Sequence, residues 1–238
     1  MGLVIDLGMH VGDDTAYYLA RGHRVIAVEA NPALARQAQQ RFAREISDGA
    51  LTILNVALSD QAGTAKFFIS KVNAEWSSLE QWRAAHTGDI EEITVETLTL
   101  ADIVARHGDP DFIKCDIEGA DGIFCHQLIH LPKKPRYVSV EAISIDWIAL
   151  LVALRYTHFQ LVNQAAIRRM PPTITFTRDG REQSWTFSGH ASGPFGEDLP
   201  KEWVSFQTVA QRWLDFQRMK AEAPSMVLDN WFDVHARL

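Results

Sequence analysis

Five polar residues close apolar runs in this chain: Asp6, Glu29, Asn55, Asp116 and Glu141. Four of the five are carboxylates. At the end of a buried strand a carboxylate can grip a ribose, take the proton of a hydroxyl or hold a divalent cation, and spacing helps to separate these uses. Glu29 follows Asp6 by 23 residues, about one strand–helix–strand unit, the interval expected of a carboxylate that binds ribose hydroxyls. Between them Gly8 and Gly12 lie four residues apart, after the run Val4-Ile5-Asp6-Leu7. That pattern describes a strand entering a tight loop and then a helix, with glycine where a nucleoside must come close to the backbone. Farther along, Asp116 is followed at once by Ile117-Glu118-Gly119, and Glu141 ends the next strand. Three readings of Asp116, Glu118 and Glu141 fit these types: a base or positioning group for an acceptor hydroxyl, the ligands of a hard divalent ion such as magnesium, or structure alone, with Glu118 capping the next helix and Asp116 satisfying backbone amides.

The loop does not complete the dinucleotide fingerprint Gly-x-Gly-x-x-Gly, because Met9 and His10 follow Gly8. Phosphate needs several free amides at a helix start. S-adenosylmethionine carries no phosphate, tolerates a looser loop and would place its methionine ammonium near Asp6. The loop therefore favours the methyl donor over a nicotinamide cofactor. His10 reads either as a pocket-lining group that helps deprotonate an acceptor or as a polar filler. His126 and His130 have the i, i+4 spacing of metal ligands but no evident third partner, and read as a plain helix face. His190 sits in a glycine-rich loop that could close over a site, and His235 is read as a surface residue of the tail.

These residues need a frame of alternating strands and helices. Strands are expected at Leu3 to Leu7, Val25 to Glu29, Leu51 to Val56, Asp111 to Asp116, Tyr137 to Ala142 and Phe159 to Asn163. Helices are expected at Asp13 to Ala20, Ala33 to about Ile46 after the Asn31 cap and Pro32, Thr99 to His107, Gly122 to His130 and Ile145 to Arg155. The turn Ser59 to Gly63 suggests a hairpin into Thr64 to Ser70, Glu92 to Thr97 looks like an edge strand, and Asn73 to Asp89, with Trp76, Trp82 and His86, reads as loop and short helix near the site mouth. Beyond Pro171-Pro172, Asp179-Gly180 marks a hairpin, Gly189 to Asp198 a flexible loop, and about Lys201 to Lys220 a helix carrying Trp203, Phe206, Ala210, Trp213 and Phe216. The expected fold is α/β, a Rossmann-like, mostly parallel seven-stranded sheet flanked by helices, with an antiparallel member among its last strands. Residues 1–170 form the cofactor-binding core, and 171–238 complete the same domain as lid or dimer contact.

At 238 residues with 47% hydrophobic and 22% charged positions, the chain can bury a sizeable core without staples. A net charge of −7 argues against a protein that grips nucleic acid through its phosphates or lies on a membrane. Only Cys115 and Cys125 are present, and reduced thiols are expected. Neither a signal peptide nor a helical lead-in is expected from the opening residues, and no apolar run approaches the roughly 20 residues of a membrane span. A cytoplasmic protein, free of membrane contact and able to form homo-oligomers, is the expectation.

Four segments resemble the FkbM-like branch of class I S-adenosylmethionine-dependent methyltransferases: Ile5 to Thr15, Val28 to Pro32, Asn55 to Phe67 and Phe112 to Asp121, with Val138 to Ser144 similar to that family's fifth strand. The first two are generic to class I enzymes, while the combination of Ala57-Leu58-Ser59-Asp60 with Asp116-Ile117-Glu118-Gly119 is specific to the family. The resemblance implies that Asp6, Gly8 and Gly12 hold the methionine part of the cofactor, that Glu29 binds the ribose hydroxyls and that Val56 or Ala57 lies against the adenine. Met9, His10, Thr15, Ala30, Asn55 and Asp116 are further candidate cofactor contacts. Members typically methylate hydroxyls of sugars or natural products, which implies a small hydroxylated acceptor. Family loops usually have asparagine where this chain has His10, and Glu-Pro where it has Glu29-Ala30. The rivals are a nitrogen or carboxylate acceptor, a non-catalytic cofactor-binding module and a nicotinamide oxidoreductase.

Overall fold

The computed structural model describes residues 2–85, 88–199, 202–227 and 230–238. They form two compact units, 1–135 and 136–238. In the first, the apolar runs become strands β1 (Leu3–Leu7), β2 (Arg24–Val28), β3 (Leu51–Leu54), β4 (Ala57–Leu58), β5 (Gly63–Ser70), β6 (Ile90–Leu98) and β7 (Phe112–Cys115). The helices between them are α1 (Asp13–Ala20), α2 (Pro32–Arg41), α3 (Ala43–Ser47), α4 (Gln81–Ala84) and α5 (Leu100–His107), and α6 (Asp121–His130) follows β7. Strands β3, β2, β1 and β7 pair in that order, all parallel. Residues of β1 and β7 are buried throughout, as expected of parallel strands covered on both faces. The chain winds outward from β1 to β3 and returns to the other side of β1 as β7. Such a reversal opens a crevice beyond the carboxyl ends of the two strands, where α/β sheets bind ligands.

The second unit holds β8 (Tyr137–Glu141), α7 (Ile145–Ala153), β9 (His158–Asn163), α8 (Gln164–Arg169), the strands β10 (Thr173–Arg178) and β11 (Arg181–Thr186), α9 (Phe206–Glu222) and β12 (Phe232–Arg237). Strand β12 lies between β8 and β9, antiparallel to both. Among the described residues there are thus seven central strands, four parallel in the first unit and three in the second, with β12 as the antiparallel member. This is the Rossmann-like α/β class that the sequence predicts. The hairpin at Asp179-Gly180 is also present, its two turn residues at φ 52° and 73°, the left-handed pair a two-residue hairpin requires.

Several local expectations give way. The helix expected from Ala33 to Ile46 breaks at Phe42, whose ring turns into the core. Strand β5 pairs with β6 rather than β3, so the turn at 59–63 does not close a hairpin of neighbouring strands. Strand β6 is accordingly central in a small sheet of order β4-β6-β5 rather than an edge. Helix α9 starts at Phe206, capped by Ser205, so Trp203 precedes it beside Val204, which bridges Phe159; the expected start, Lys201, lies outside the described residues, as does His86. Residues 73–85 do form a short helical turn and α4. The tail is a strand, and His235 is buried in it between Ser139 and Gln160, not at the surface. Both cysteines are free and buried. Among the described residues no helix is long and apolar enough to cross a membrane.

Candidate functional site

The end of β1 shapes the crevice. Beyond Leu7 the chain turns over β2: the Gly8 and Met9 amides both donate to the Val28 carbonyl at 3.0 Å. The backbone is left-handed at Gly8 (φ 81°) and Gly12 (φ 84°). A side chain at Gly8 would collide with the Asp116 carbonyl oxygen. The first glycine is therefore required by the approach of β7's own backbone, a reason that sequence reasoning assigned to the ligand instead. His10 also lies in the left-handed region, at φ 50°. Asparagine, aspartate and histidine enter that region more readily than other side chains, so the backbone tolerates His10 here.

Glu29 ties the loop to the second strand. One carboxylate oxygen accepts the His10 amide at 2.9 Å, and the other accepts the Asn31 amide at 2.8 Å. Asn55 fixes the same corner by donating its Nδ2 to the carbonyls of Glu29 at 2.8 Å and Ala30 at 3.2 Å. Val56 and Ala57 are buried just beyond it. Burial pushes the Glu29 carboxyl up to about 7, although both amide hydrogen bonds pull the other way.

Sequence reasoning missed the centre of this arrangement, Lys114. Its Nζ, almost wholly buried, lies 3.7 Å from Asp6 Oδ1, 3.5 Å from Asp14 Oδ2 and 3.5 Å from Asp116 Oδ2, and it donates to the Gly8 carbonyl at 3.3 Å. Three carboxylates from β1, α1 and the end of β7 therefore face one ammonium group. Thr15 donates to Asp6 Oδ2 at 2.6 Å, while Asp6 Oδ1 is buried with no hydrogen-bond partner. The Asp6 carboxyl is raised to about 6, by burial first; Lys114 and the Thr15 hydroxyl oppose the rise, and Asp14 and Asp116 add to it. A lysine inside the apolar run Phe112-Ile113-Lys114-Cys115 was the available signal, since a buried lysine requires a partner of opposite charge.

The turn after β7 is built from different groups than expected. Asp121, not Asp116 or Glu118, collects the turn's amides, from Ile117 at 3.3 Å and Gly119 at 3.2 Å. Helix α6 has no side-chain cap, so Glu118 does not cap it. Its carboxylate instead takes two nitrogens of the Arg83 guanidinium, at 2.8 and 2.7 Å, and Ser78 donates to its carbonyl at 2.6 Å. Arg83 belongs to α4, so this pair holds the 73–85 segment against the turn. Burial raises the Glu118 carboxyl to about 7, with Asp116 adding and Arg83 opposing. Asp116 keeps its side chain 46% exposed at the strand end and so is reachable from solvent.

The structure thus gathers Asp6, Gly8, Met9, His10, Gly12, Thr15, Glu29, Ala30, Asn55, Val56, Ala57, Asp116 and Glu118 within the first unit. Glu141 ends β8 in the second unit, opposite Asp233. Among the described residues no group of three or more histidine, cysteine or acidic side chains is arranged to hold a metal ion, and this includes Asp116, Glu118 and Glu141 as well as His126 and His130. His190 is exposed.

Residues 6–152 match the family described as the methyltransferase FkbM domain. No curated protein matches the chain in sequence. Among solved structures it is similar to a methyltransferase FkbM from Methylobacillus flagellatus KT, at 15% identity and a TM-score of 0.43, over 78% of this chain and 43% of that one. It is also similar to a precorrin-6y C5,15-methyltransferase from Geobacter metallireducens GS-15, at 9% identity and a TM-score of 0.42, over 99% of this chain and 78% of that one. The chain spans less than half the length of the Methylobacillus protein.

Proposed function

The chain belongs to the FkbM family of methyltransferases, and from that premise we propose that it transfers the methyl group of S-adenosylmethionine to a hydroxyl oxygen of a small sugar-like or natural-product-like acceptor. The observation that carries the reading is the meeting, at the switch between β1 and β7, of a glycine loop, the Glu29 carboxylate and the reachable Asp116. The residues fit the cofactor: Asp6 Oδ1 is a buried acceptor without a hydrogen bond, Glu29 directly follows β2 at the loop, and Val56 and Ala57 offer an apolar wall.

When bound, S-adenosylmethionine supplies an electrophilic methyl on a sulfonium sulfur. Glu29 holds the ribose hydroxyls with the lone pairs that its two backbone amides leave over. Asp6 attracts the methionine ammonium, and the Gly8–Gly12 loop carries the backbone past it. Asp116 orients the acceptor hydroxyl and takes its proton as the oxygen–methyl bond forms; positioning supplies the larger share of the acceleration. The acidic balance of the chain, −7, supports a small-molecule acceptor over nucleic acid.

Incubation with S-adenosylmethionine labelled in its methyl group and a panel of hydroxylated acceptors, followed by mass spectrometry of the product, tests the proposal. O-methylated product is expected, with Asp116→Asn lowering kcat by roughly 10²–10⁴ and leaving the affinity for S-adenosylmethionine within a few fold. Label recovered on nitrogen or carboxylate, or an unchanged kcat in Asp116→Asn, would overturn it.

A further inference from the structure

Lys114 and its three carboxylates bear on which form of the nucleoside the site prefers. Taken as ionised, Asp6, Asp14 and Asp116 bring three negative charges against one positive, all within 3.7 Å of the same nitrogen. Lys114, Asp6 and Asp14 are each at least 95% buried in side chain, so water screens this imbalance poorly. The groups hang from three elements, β7, β1 and α1, and the ammonium also holds the Gly8 carbonyl, so the charge is built into the loop that lines the crevice.

We propose that Lys114 is a positioning residue that sets the charge of the cofactor site: by cancelling one of three carboxylates it limits how far the site discriminates between the cationic methyl donor and its neutral product. This deepens the reading of that site as the place where S-adenosylmethionine binds, and rests on it. The donor carries an ammonium, a carboxylate and a sulfonium, a net charge of +1. As the methyl carbon leaves, the electron pair of the broken bond stays on sulfur. The product, S-adenosylhomocysteine, is a thioether of net charge zero, while the methyl joins the acceptor oxygen and that oxygen's proton passes to Asp116. Donor and product thus differ at the reacting end by one methyl and one positive charge. A negative surplus discriminates between them, and its size decides by how much. Lys114 need not touch either ligand to act in this way.

The test is calorimetric titration of the whole protein with S-adenosylmethionine and, separately, S-adenosylhomocysteine at pH 8, in wild type, Lys114→Met and Asp14→Asn. The quantity read is the ratio of the product's Kd to the donor's. Removing the ammonium deepens the surplus, and the ratio is expected to rise about threefold or more; removing the Asp14 charge reduces the surplus, and the ratio is expected to fall by a similar factor. A merely structural role weakens both ligands alike and leaves the ratio where it was, so an unchanged ratio in the variants overturns the proposal. If Lys114→Met does not fold, Asp14→Asn, nearly isosteric, decides alone. Wild type that binds neither ligand removes the cofactor reading and this inference with it, whereas wild type that binds both, with ratios indifferent to Asp14, removes the inference alone.

Discussion

Glu29→Ala is expected to lower affinity for S-adenosylmethionine at least about 100-fold. The carboxylate has two duties that alanine cannot share. It is the group proposed to hold the ribose, and it satisfies the amides of His10 and Asn31 at the corner of the loop. Leaving a buried amide unpaired costs about 1–3 kcal/mol, so the loop loses its tie to β2 as well as its ligand contact. Calorimetry of the two proteins side by side would show this, and binding of the variant within threefold of wild type would refute it. The same residue gives a pH signature. Its carboxyl is raised from 4.5 to about 7, and that of Asp6 from 3.8 to about 6, both by burial first. A raised acid favours the fold while protonated. Its contribution is full below the unfolded value and is lost as pH rises through the folded one. These two groups therefore make the ligand-free protein less stable as pH climbs from about 4 to 7, by up to about 1.4 kcal/mol per pH unit for each. Glu29→Gln should flatten that decline, measured by denaturant melts between pH 4.5 and 7.5.

Gly8→Ala should destabilise the protein by about 3 kcal/mol or more and abolish cofactor binding. A left-handed backbone costs alanine about 1–2 kcal/mol on its own. Here the added carbon also strikes the Asp116 carbonyl, so either the loop or the end of β7 must move. Either movement disturbs Lys114, whose ammonium holds the Gly8 carbonyl and faces Asp116. Gly49 makes a suitable control. It too has a positive φ, 72°, but an added carbon there meets nothing within 4 Å. Gly49→Ala should cost only about 1–2 kcal/mol and leave binding intact. Melting temperatures and titrations of both variants separate backbone strain from collision, and equal losses in the two would contradict the collision argument.

What the sequence revealed and what it hid follow a physical line. The strand–loop–helix at residues 3–20, the Asn31-Pro32 helix start and the Asp179-Gly180 hairpin were legible because their signals are local: an apolar run, a left-handed residue, a cap. Glu29 was legible because one strand–helix–strand unit has a near-constant length. Pairings that depend on distant residues were not. Nothing between Ser59 and Ser70 says that β5 prefers β6 to β3. Strand β12 shows period-two alternation in Phe232-Asp233-Val234-His235-Ala236-Arg237, but alternation implies one wet face, and here Asp233 and His235 are buried as well. The candidate site divides in the same way. Asp6, Glu29 and Asp116 could be read from their places at strand ends, whereas Asp14, inside α1, could not. Nor could the common counter-charge of Asp6, Asp14 and Asp116, because Lys114 meets Asp6 and Asp14 only once β7 has been laid beside β1. Likewise the partner of Glu118 is Arg83, 35 residues earlier in a segment without clear periodicity.

Hydrogen–deuterium exchange of the wild-type protein, with and without saturating S-adenosylmethionine, tests the placement of the cofactor most directly. Slowed exchange is predicted in peptides covering residues 6–16, 28–33 and 54–58, the loop, the Glu29 corner and the wall beyond Asn55. Binding that protects other segments and leaves these unchanged, or no binding at all, would contradict the account.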